Sequence, residues 1–347
     1  MSSHPQPKGH SGPMKVLGDL LPGFMLSAII ALAASFVSNQ YGGPKFLYAL
    51  LIGVAFHFLS DNDRCKAGIE FSAKKLVRFG VALLGAKIVL ADVSALGFWG
   101  IMGLAGAVVF TICFGLLMAR VLKISPMFGV LSGGATGICG ISAAMAISST
   151  MPQNADNERY TLMTAIGVAT LSTVAMILYP LWVTWLGMSV PEAGLFLGGA
   201  IHDVAQVVGA GNIISPEVAK SASLAKMFRV AMLVPVVLVM AMLFRQAVME
   251  SAAAGGKVAK RPTILPFFLV MFIVLVIVNS LGWVPAVAQK LASDLSAWAL
   301  VISISALGVK TSFGKIAELG WRPIVLLVSE TLFVAVFMTL VVLAMRA

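Results

Sequence analysis

Apolar runs of similar length, separated by short polar segments, recur along the whole chain. An α-helix needs about 20 predominantly apolar residues to cross a bilayer. Runs near that length lie at residues 20–38, 45–60, 79–92, 98–119, 158–186, 229–244, 264–281, 291–309 and 322–345. This pattern predicts an all-α polytopic membrane protein with nine full spans.

Two further hydrophobic segments, 129–149 and 194–213, are interrupted by glycine and small polar residues, and both contain Gly-Gly-Ala. Glycine admits positive φ angles and lets the backbone approach a ligand, so a helix can break there. Within a bilayer, broken backbone survives only where it is buried in protein or lines a wet cavity. We predict two glycine-broken helices, discontinuous or re-entrant, and therefore 9–11 transmembrane segments. Such a pair points to the binding site of a transporter.

Composition supports a membrane protein and excludes a soluble one. The chain is 59% hydrophobic and only 11% charged, whereas about a quarter of the residues are charged in soluble domains. The net charge of +10 does not indicate a nucleic-acid partner, because the basic residues lie mostly in loops beside the lipid bilayer. The three cysteines fit no metal-binding spacing: Cys65, Cys113 and Cys139. We expect no metal and no cofactor.

The N-terminal residues differ from the rest of the chain. Residues 1–17 are polar and rich in Pro, Gly, Ser and His, and no A-x-A-like cleavage site follows the first apolar run. We interpret residues 1–19 as a disordered cytoplasmic tail and residues 20–347 as a single transmembrane transporter domain, with the first span uncleaved.

Lysine and arginine in the loops predict the orientation, because cytoplasmic loops carry an excess of both. They cluster in 61–78, which we interpret as an amphipathic interfacial helix, and in 245–261, and they are absent from 92–97. If both broken segments cross, the N-terminus is cytoplasmic and the C-terminus is periplasmic. Three basic residues would then lie outside, against the rule: Arg159, Lys220 and Lys226.

A short internal repeat accompanies this orientation. Leu84-Gly-Ala-Lys87 recurs as Leu307-Gly-Val-Lys310, and Leu96-Gly97 recurs at the same offset as Leu319-Gly320. The predicted topology puts the first copy outside and the second inside. This arrangement is an inverted repeat, which is typical of secondary transporters.

Five ionisable residues lie at or near membrane depth, where charge is costly and a functional role is the default interpretation. His57 is near the inner end of its span, where an interfacial role is favoured over a functional one. Lys87 is either a substrate-binding residue or an anchor at a span end. Glu330 is expected to pair with a lysine. The other two, His202 and Asp203, lie inside the second broken segment.

The second broken segment supplies the strongest polar candidates. In a helical register, His202 and Gln206 are four apart and share a face, and Asp203 next to that face could hold the imidazole or carry a proton. We predict that His202 and Gln206 bind substrate and that His202 and Asp203 couple protons. The alternative is that Asp203 only caps a half-helix.

The first broken segment predicts an anion site made of backbone. If a helix restarts near Gly137 to Gly140, its free N–H groups and the positive end of its dipole face the cavity, and such an end binds anions. Tight Gly/Ala helix packing is the alternative. The substrate-binding candidates of this segment are Thr136, Gly137, Ile138, Cys139, Gly140 and Ser142.

Missing motifs narrow the function classes further. The chain has no Walker A sequence, so ATP-driven transport by this chain alone is not expected. It has no HExxH motif and no convincing nucleophile–base pair, so we expect no enzymatic activity.

Four motifs together identify a family resemblance. Gly134–Gly140, Ile201–Val208, Leu307–Thr311 and Arg78–Lys87 resemble the bacterial inner-membrane family that is named for sulfate export. The resemblance covers nearly the whole chain beyond the N-terminal tail. It implies a small anion substrate, sulfate or sulfonate-like.

The chain departs from the family pattern at two positions. It has Asp203 where the family commonly has Glu, and Lys87 where it commonly has Arg. The first change keeps a carboxylate that is one methylene shorter. The second keeps the charge but loses a bidentate fork, so both bear on which anion is bound.

Three functions remain in competition at the level of sequence. The first is a secondary transporter of a small anion across the inner membrane by alternating access. The second is a cation/proton antiporter with Asp203 as the carrier, and the third is a channel or a non-transporting membrane scaffold. The sequence also leaves a homodimer open.

Overall fold

A computed structural model describes residues 13–89, 91, 96–253, 267–311 and 320–346. The helices in these ranges are α1 Pro13–Tyr41, α2 Lys45–Ala55, α3 Asp63–Phe71, α4 Val77–Leu84, α5 Gly97–Val121, α6 Pro126–Gly137, α7 Ile141–Ser148, α8 Ala155–Trp185, α9 Val190–Ala200, α10 Val204–Ile214, α11 Pro216–Ala231, α12 Leu233–Leu243, α13 Arg245–Ala253, α14 Phe267–Ser280, α15 Ala286–Lys310 and α16 Trp321–Arg346.

The helices confirm an all-α multi-pass membrane protein. Six of them, within the described ranges, are long and apolar enough to cross a bilayer: most of α1, α5, α8, the continuous α11–α12, α15 and α16. Helices α2, α10 and α14 are apolar but shorter. The part of every predicted apolar run that the structure describes lies on or next to one of these helices.

The first hundred residues differ from expectation in two places. Helix α1 begins at Pro13, inside the predicted tail 1–19, while residues 1–12 lie outside the described part. The predicted interfacial helix over 61–78 is not a separate surface element. Helix α3 continues through one π-helical turn at Ser72–Leu76 into α4, and its Gly68 contacts the backbone of α1 near Gly23.

The helix bundle has two ends, which we name after one residue at each. At the Lys310 face, Glu70 accepts a hydrogen bond from Lys74 at 2.6 Å and lies 3.7 Å from Lys310. At the Glu192 face, the last turn of α16 meets the first turn of α9, where Arg346 Nε lies 2.8 Å from Glu192 Oε1.

The first broken segment re-enters rather than crosses. Leu96 lines a cavity with Glu192, so α5 begins at the Glu192 face and ends at the Lys310 face, where α6 starts. At that end the ring of Phe128 stacks on Tyr160 of α8, with centroids 5.2 Å apart. The last residue of α7 bonds to the same part of α8, with Ser148 Oγ 2.9 Å from Asn157 Oδ1. Both ends of α6–α7, named hairpin 1, therefore lie at the Lys310 face.

The second broken segment re-enters from the opposite face. Helix α9 begins beside the start of α11, and Gly198 contacts Ala225 further along, so α9 and α11 run in the same direction. Helix α10 then returns, because Gly211 near its end contacts Ala219 in the first turn of α11. We name α9–α10 hairpin 2. The sequence left open whether the two segments cross or re-enter, and in the structure both re-enter.

Re-entry changes where the basic residues lie. Helix α8 now starts at the Lys310 face, so Arg159 joins the lysines of that face. Lys226 is fully buried on α11 and belongs to no loop. Two of the three exceptions to the charge rule disappear, and only Lys220 stays near the Glu192 face. Two re-entrant hairpins remove two crossings, so the start of α1 and the end of α16 still lie at opposite faces.

The inverted repeat is present in the structure. Gln289, in the first turn of α15, donates to Ala86 O at 3.2 Å, so α15 starts beside the end of α4 and finishes at the other end of the bundle. The repeated Lys87 and Lys310 consequently lie at opposite faces, as predicted. The repeated glycines match as well, because both Gly97 (φ 63°) and Gly320 (φ 84°) have positive φ angles at the start of a long helix.

Candidate functional site

The tips of the two hairpins meet inside the bundle. Hairpin 1 turns at Ile138–Gly140 and hairpin 2 turns at Ile201–Asp203. A Cβ atom on Gly140 would lie only 3.7 Å from the carbonyl oxygen of His202. Gly140 has φ 65° and ψ −128°, a conformation that side-chain-bearing residues rarely adopt. Glycine is therefore required at this turn.

A buried arginine joins the ends of α6 and α9. Arg229 of α11 is 0% exposed. Its guanidinium donates hydrogen bonds of 2.6–3.1 Å to backbone carbonyls of both hairpins. The accepting residues are Thr136, Gly137, Gly198, Gly199 and Ile201.

A buried lysine repeats the arrangement one turn earlier on α11. Lys226 is also 0% exposed, and its Nζ donates to Ile138 O at 2.7 Å and to Ile201 O at 2.8 Å. One carbonyl from each hairpin tip is thus held by the same ammonium group.

The two cations bond to the backbone carbonyls that an interrupted helix leaves without partners. The last carbonyls of a helix have no partner within it, and the C-terminal end carries a partial negative charge. Unsatisfied polar groups in a membrane interior cost several kcal/mol each. Lys226 and Arg229 supply donors and positive charge for both helix ends at once.

The sequence analysis missed Arg229 and misplaced Lys226. A signal was present, because the two basic residues are three apart and so share one face of a helix. That helix extends over Pro216–Leu243, whereas hydropathy alone started the span at residue 229. Because the helix starts at Pro216, Lys226 lies in the buried core and not in a loop.

The second half-helices begin differently in the two hairpins. Helix α7 begins after Gly140 with no side-chain cap, and its first residues Ile141 and Ser142 are half-buried. Helix α10 is capped by Asp203, whose Oδ1 accepts from Ala205 N at 2.8 Å. The capping alternative for Asp203 is thereby seen, while its proton-coupling role stays a prediction.

The predicted shared face of His202 and Gln206 is wrong. His202 precedes the cap of α10 and is not in a helix, so helical spacing does not apply to it. Its Nε2 lies 2.9 Å from Thr331 Oγ1 on α16. Gln206 instead contacts α8, where its Oε1 accepts from Ser172 at 3.3 Å and its Nε2 donates to Thr173 at 3.4 Å.

The two ring nitrogens of His202 have different surroundings. Nε2 bonds to the hydroxyl of Thr331 at 2.9 Å, and that hydroxyl also lies 2.8 Å from Leu327 O. The Thr136 carbonyl lies near the ring, but Nδ1 is buried and has no partner with hydrogen-bond geometry among the described residues.

Glu330 was expected to pair with a lysine, but among the described residues its partners are hydroxyls. The side chain is 0% exposed and accepts from two hydroxyls of α6, with Ser132 Oγ at 2.7 Å from Oε1 and Thr136 Oγ1 at 3.3 Å from Oε2. Thr136, a predicted substrate-binding residue, therefore has its hydroxyl bound by the protein. His57 bonds to Val309 O at 2.8 Å, away from the tips.

The structure brings most of the predicted site together. Thr136, Gly137, Ile138, Cys139, Gly140, Ser142, His202, Asp203 and Gln206 all lie at or beside the two tips. Lys87 does not join them. Its side chain is exposed near Glu217, and the neighbouring Ile88 lines a cavity of about 290 Å³ at the Glu192 face together with Glu192, Glu217 and Lys220.

Comparison with known proteins assigns the chain to a family. The family model described as conserved hypothetical protein 698 matches residues 22–327. The chain belongs to this family. The match confirms the resemblance and covers both hairpins and the chain as far as the first two turns of α16.

The relatives are membrane proteins of similar length. A UPF0324 membrane protein of Chlorobaculum tepidum is 45% identical over 316 residues, covering 91% of this chain and 87% of the relative. One of Rhizobium meliloti is 46% identical over 322 residues, with coverage of 93% and 92%. UPF0324 membrane protein TauZ of Paracoccus denitrificans is 46% identical over 320 residues, with coverage of 92% and 94%.

Proposed function

We propose that this protein is a secondary transporter that moves a small anion, sulfate or sulfonate-like, across the bacterial inner membrane by alternating access. The observation that carries the proposal is the charge at the crossed tips. Lys226 and Arg229 are buried there, and the carboxylate of Asp203 interacts electrostatically with Lys226. A buried centre with excess positive charge favours an anionic partner.

The first turn of α7 is the proposed contact surface for the anion. A helix N-terminus offers free N–H groups and the positive end of a dipole. Gly140 provides no side-chain cap, and Ile141 and Ser142 are only half-buried. Oxygens of a sulfate or sulfonate group are suitable acceptors for these donors.

Hairpins entering from opposite faces support alternating access. Each tip is separated from one face by its own hairpin and from the other face by the opposite hairpin. The cavity at the Glu192 face is the proposed entrance on that side. Access from either face then requires helices around one hairpin to move while those around the other stay closed.

The antiporter alternative is less favourable on electrostatic grounds. A cation bound at Asp203 would lie near Lys226, whose charge interacts with that carboxylate. Like charges in a medium of low dielectric constant repel strongly. A transported cation would have to overcome this repulsion, whereas an anion is attracted.

Purified protein in liposomes tests the proposal directly. We expect uptake of radiolabelled sulfate or methanesulfonate down an imposed gradient. Ser142→Asp places a carboxylate at the start of α7, where it stabilises the helix but competes with the anion, so flux should fall about tenfold or more, as for loss of about 1.4 kcal/mol of binding. Ser142→Asn is the matched neutral control and should retain flux.

Other outcomes select the other functions. Sodium-dependent proton movement without anion flux would support the antiporter with Asp203 as carrier. Absence of both fluxes in folded protein would leave a channel or a scaffold. Equal flux in Ser142→Asp and Ser142→Asn would place the anion away from α7.

A further inference from the structure

Glu330 is a buried carboxyl group that anion binding does not use. It lies on α16 against α5 and α6, where Gly115 contacts its Oε1 and the hydroxyls of Ser132 and Thr136 lie within hydrogen-bond distance of its oxygens. Its hydrogen-bond partners among the described residues are these two hydroxyls. Titratable groups lie one residue further away: Arg229 bonds to the carbonyl of Thr136, and Thr331 bonds to His202 and to Tyr179.

A carboxylate in this position would be a charge held by neutral hydroxyls alone. Burying an ionised carboxylate without a cation is far costlier than burying the neutral acid. Protonation removes that cost, since a protonated carboxyl is both a donor and an acceptor.

The hydroxyl of Ser132 fits both protonation states. Ser132 Oγ lies 2.7 Å from Glu330 Oε1 and 3.3 Å from Gly129 O. It donates to the carboxylate when Glu330 is ionised. When Glu330 is protonated, Oε1–H donates to Ser132 Oγ and the serine hydroxyl turns to Gly129 O. No heavy atom has to move for the proton to be gained or lost.

We propose that Glu330 carries the coupling proton of this transporter, a step that rests on the proposed anion transport. In the conformation seen here the carboxyl is protonated and closed in by hairpin 1. When α16 and hairpin 1 separate towards the Lys310 face, the O–H bond of Glu330 breaks and water accepts the proton. The carboxylate takes up a proton again before the two elements repack.

The position of Glu330 links this proton to the anion site. Consecutive residues of α16 contact the two hairpins: Glu330 bonds to hairpin 1, and Thr331 bonds to His202 in the tip of hairpin 2. A displacement of α16 that exposes the carboxyl therefore also changes the surroundings of the crossed tips.

Infrared spectroscopy tests the protonation without any transport assay. The difference between the spectra of wild type and Glu330→Gln at neutral pH should contain the carbonyl band of a carboxylic acid. Glu192→Gln is the matched control, because Glu192 bonds to Arg346 and its loss should remove carboxylate bands instead. A carboxylate band in the Glu330 difference spectrum overturns the proposal.

Flux measurements then test the coupling. Transport that requires one bound proton changes about tenfold per pH unit above the titration of the carboxyl, so wild-type sulfate flux should fall as pH rises. Glu330→Gln mimics the protonated form and should transport sulfate with a rate that is constant with pH within about twofold. An unchanged pH profile in this variant overturns the coupling role. Absence of sulfate and methanesulfonate flux in wild type would instead contradict the proposed function, while the infrared result still decides the protonation.

Discussion

Hairpins 1 and 2 have the same shape but differ in how the partial charges of the helix ends at their tips are neutralised. In both, the end of the first half-helix is neutralised from outside by α11. The start of the second half-helix is where they diverge. Hairpin 2 neutralises it with its own Asp203, whereas hairpin 1 has only Gly140 there and no side-chain cap.

This difference assigns separate tasks to the two hairpins. A capped helix start has its donors satisfied and is a supporting element. An uncapped, half-buried start retains donors for a ligand. We therefore place ligand contact on hairpin 1 and support on hairpin 2, although the sequence motif of hairpin 2 contains the more conspicuous polar residues.

The largest expected effect concerns the membrane side from which residues around hairpin 1 can be labelled. In a variant without the native cysteines, Asp63→Cys and Asp156→Cys should react with a membrane-impermeant thiol reagent from the same side, the cytoplasmic one, because hairpin 1 re-enters. Ser189→Cys should react from the other side. If the cysteines at 63 and 156 react from opposite sides, the segment 129–149 crosses and the re-entrant assignment is wrong.

Loss of the shared cations should come next. Arg229→Met leaves carbonyls of both hairpins without donors, and each unsatisfied buried group costs about 1–3 kcal/mol. We expect a large drop in the thermal midpoint in detergent, larger than for Lys226→Met, which frees fewer carbonyls. Lys290→Met, at an exposed position, is the control. Equal midpoints for Arg229→Met and the control would mean that water satisfies those carbonyls.

Substitution of Gly140 tests whether glycine is needed there for lack of space or for the backbone conformation. A Cβ atom there would make ordinary contacts of 3.7–3.8 Å, so the obstacle is the positive φ angle, which costs about 1–3 kcal/mol for other residues. Gly140→Ala and Gly140→Val should both abolish sulfate flux. Gly282→Ala has a similar φ of 73° in an open turn and should retain flux. Full activity of Gly140→Ala alone would show that side-chain volume decides.

The smallest expected effect concerns the cap of hairpin 2. Asp203→Asn keeps an acceptor oxygen for Ala205 N, whereas Asp203→Ala loses it and should lower stability by about 1 kcal/mol. Unfolding in detergent measures both. If Asp203→Asn also removes the pH dependence of sulfate flux, the proton belongs to Asp203, as the sequence suggested, and not to Glu330.

The sequence was informative wherever one local property decides the structure. Apolar run length predicted where the apolar helices lie, although six of the nine runs form helices of full spanning length within the described residues. Glycine clusters predicted both breaks, since this signal acts within a single segment. The short repeat predicted that Lys87 and Lys310 lie at opposite faces. The first two results depend on residues close together in the chain, and the third depends on the charges of the loops.

The remaining features depend on contacts between distant segments. Whether a broken helix crosses or returns is decided by which helix each half packs against, and glycine content alone does not contain that information. The face proposed for His202 and Gln206 failed because helical periodicity was carried across a break. Lys226 was assigned to a loop because hydropathy cannot separate an exposed lysine from one bonded to buried carbonyls.

The bonds from Lys226 and Arg229 also have a mechanical consequence. Lys226 and Arg229 on α11 each donate hydrogen bonds to both hairpins. Moving one tip relative to the other therefore breaks charge-assisted bonds. We therefore expect the two hairpin tips and α11 to move together as one unit. Opening towards either face then has to come from the surrounding helices sliding past this unit, and α16, which touches both hairpins, is the element best placed to do so.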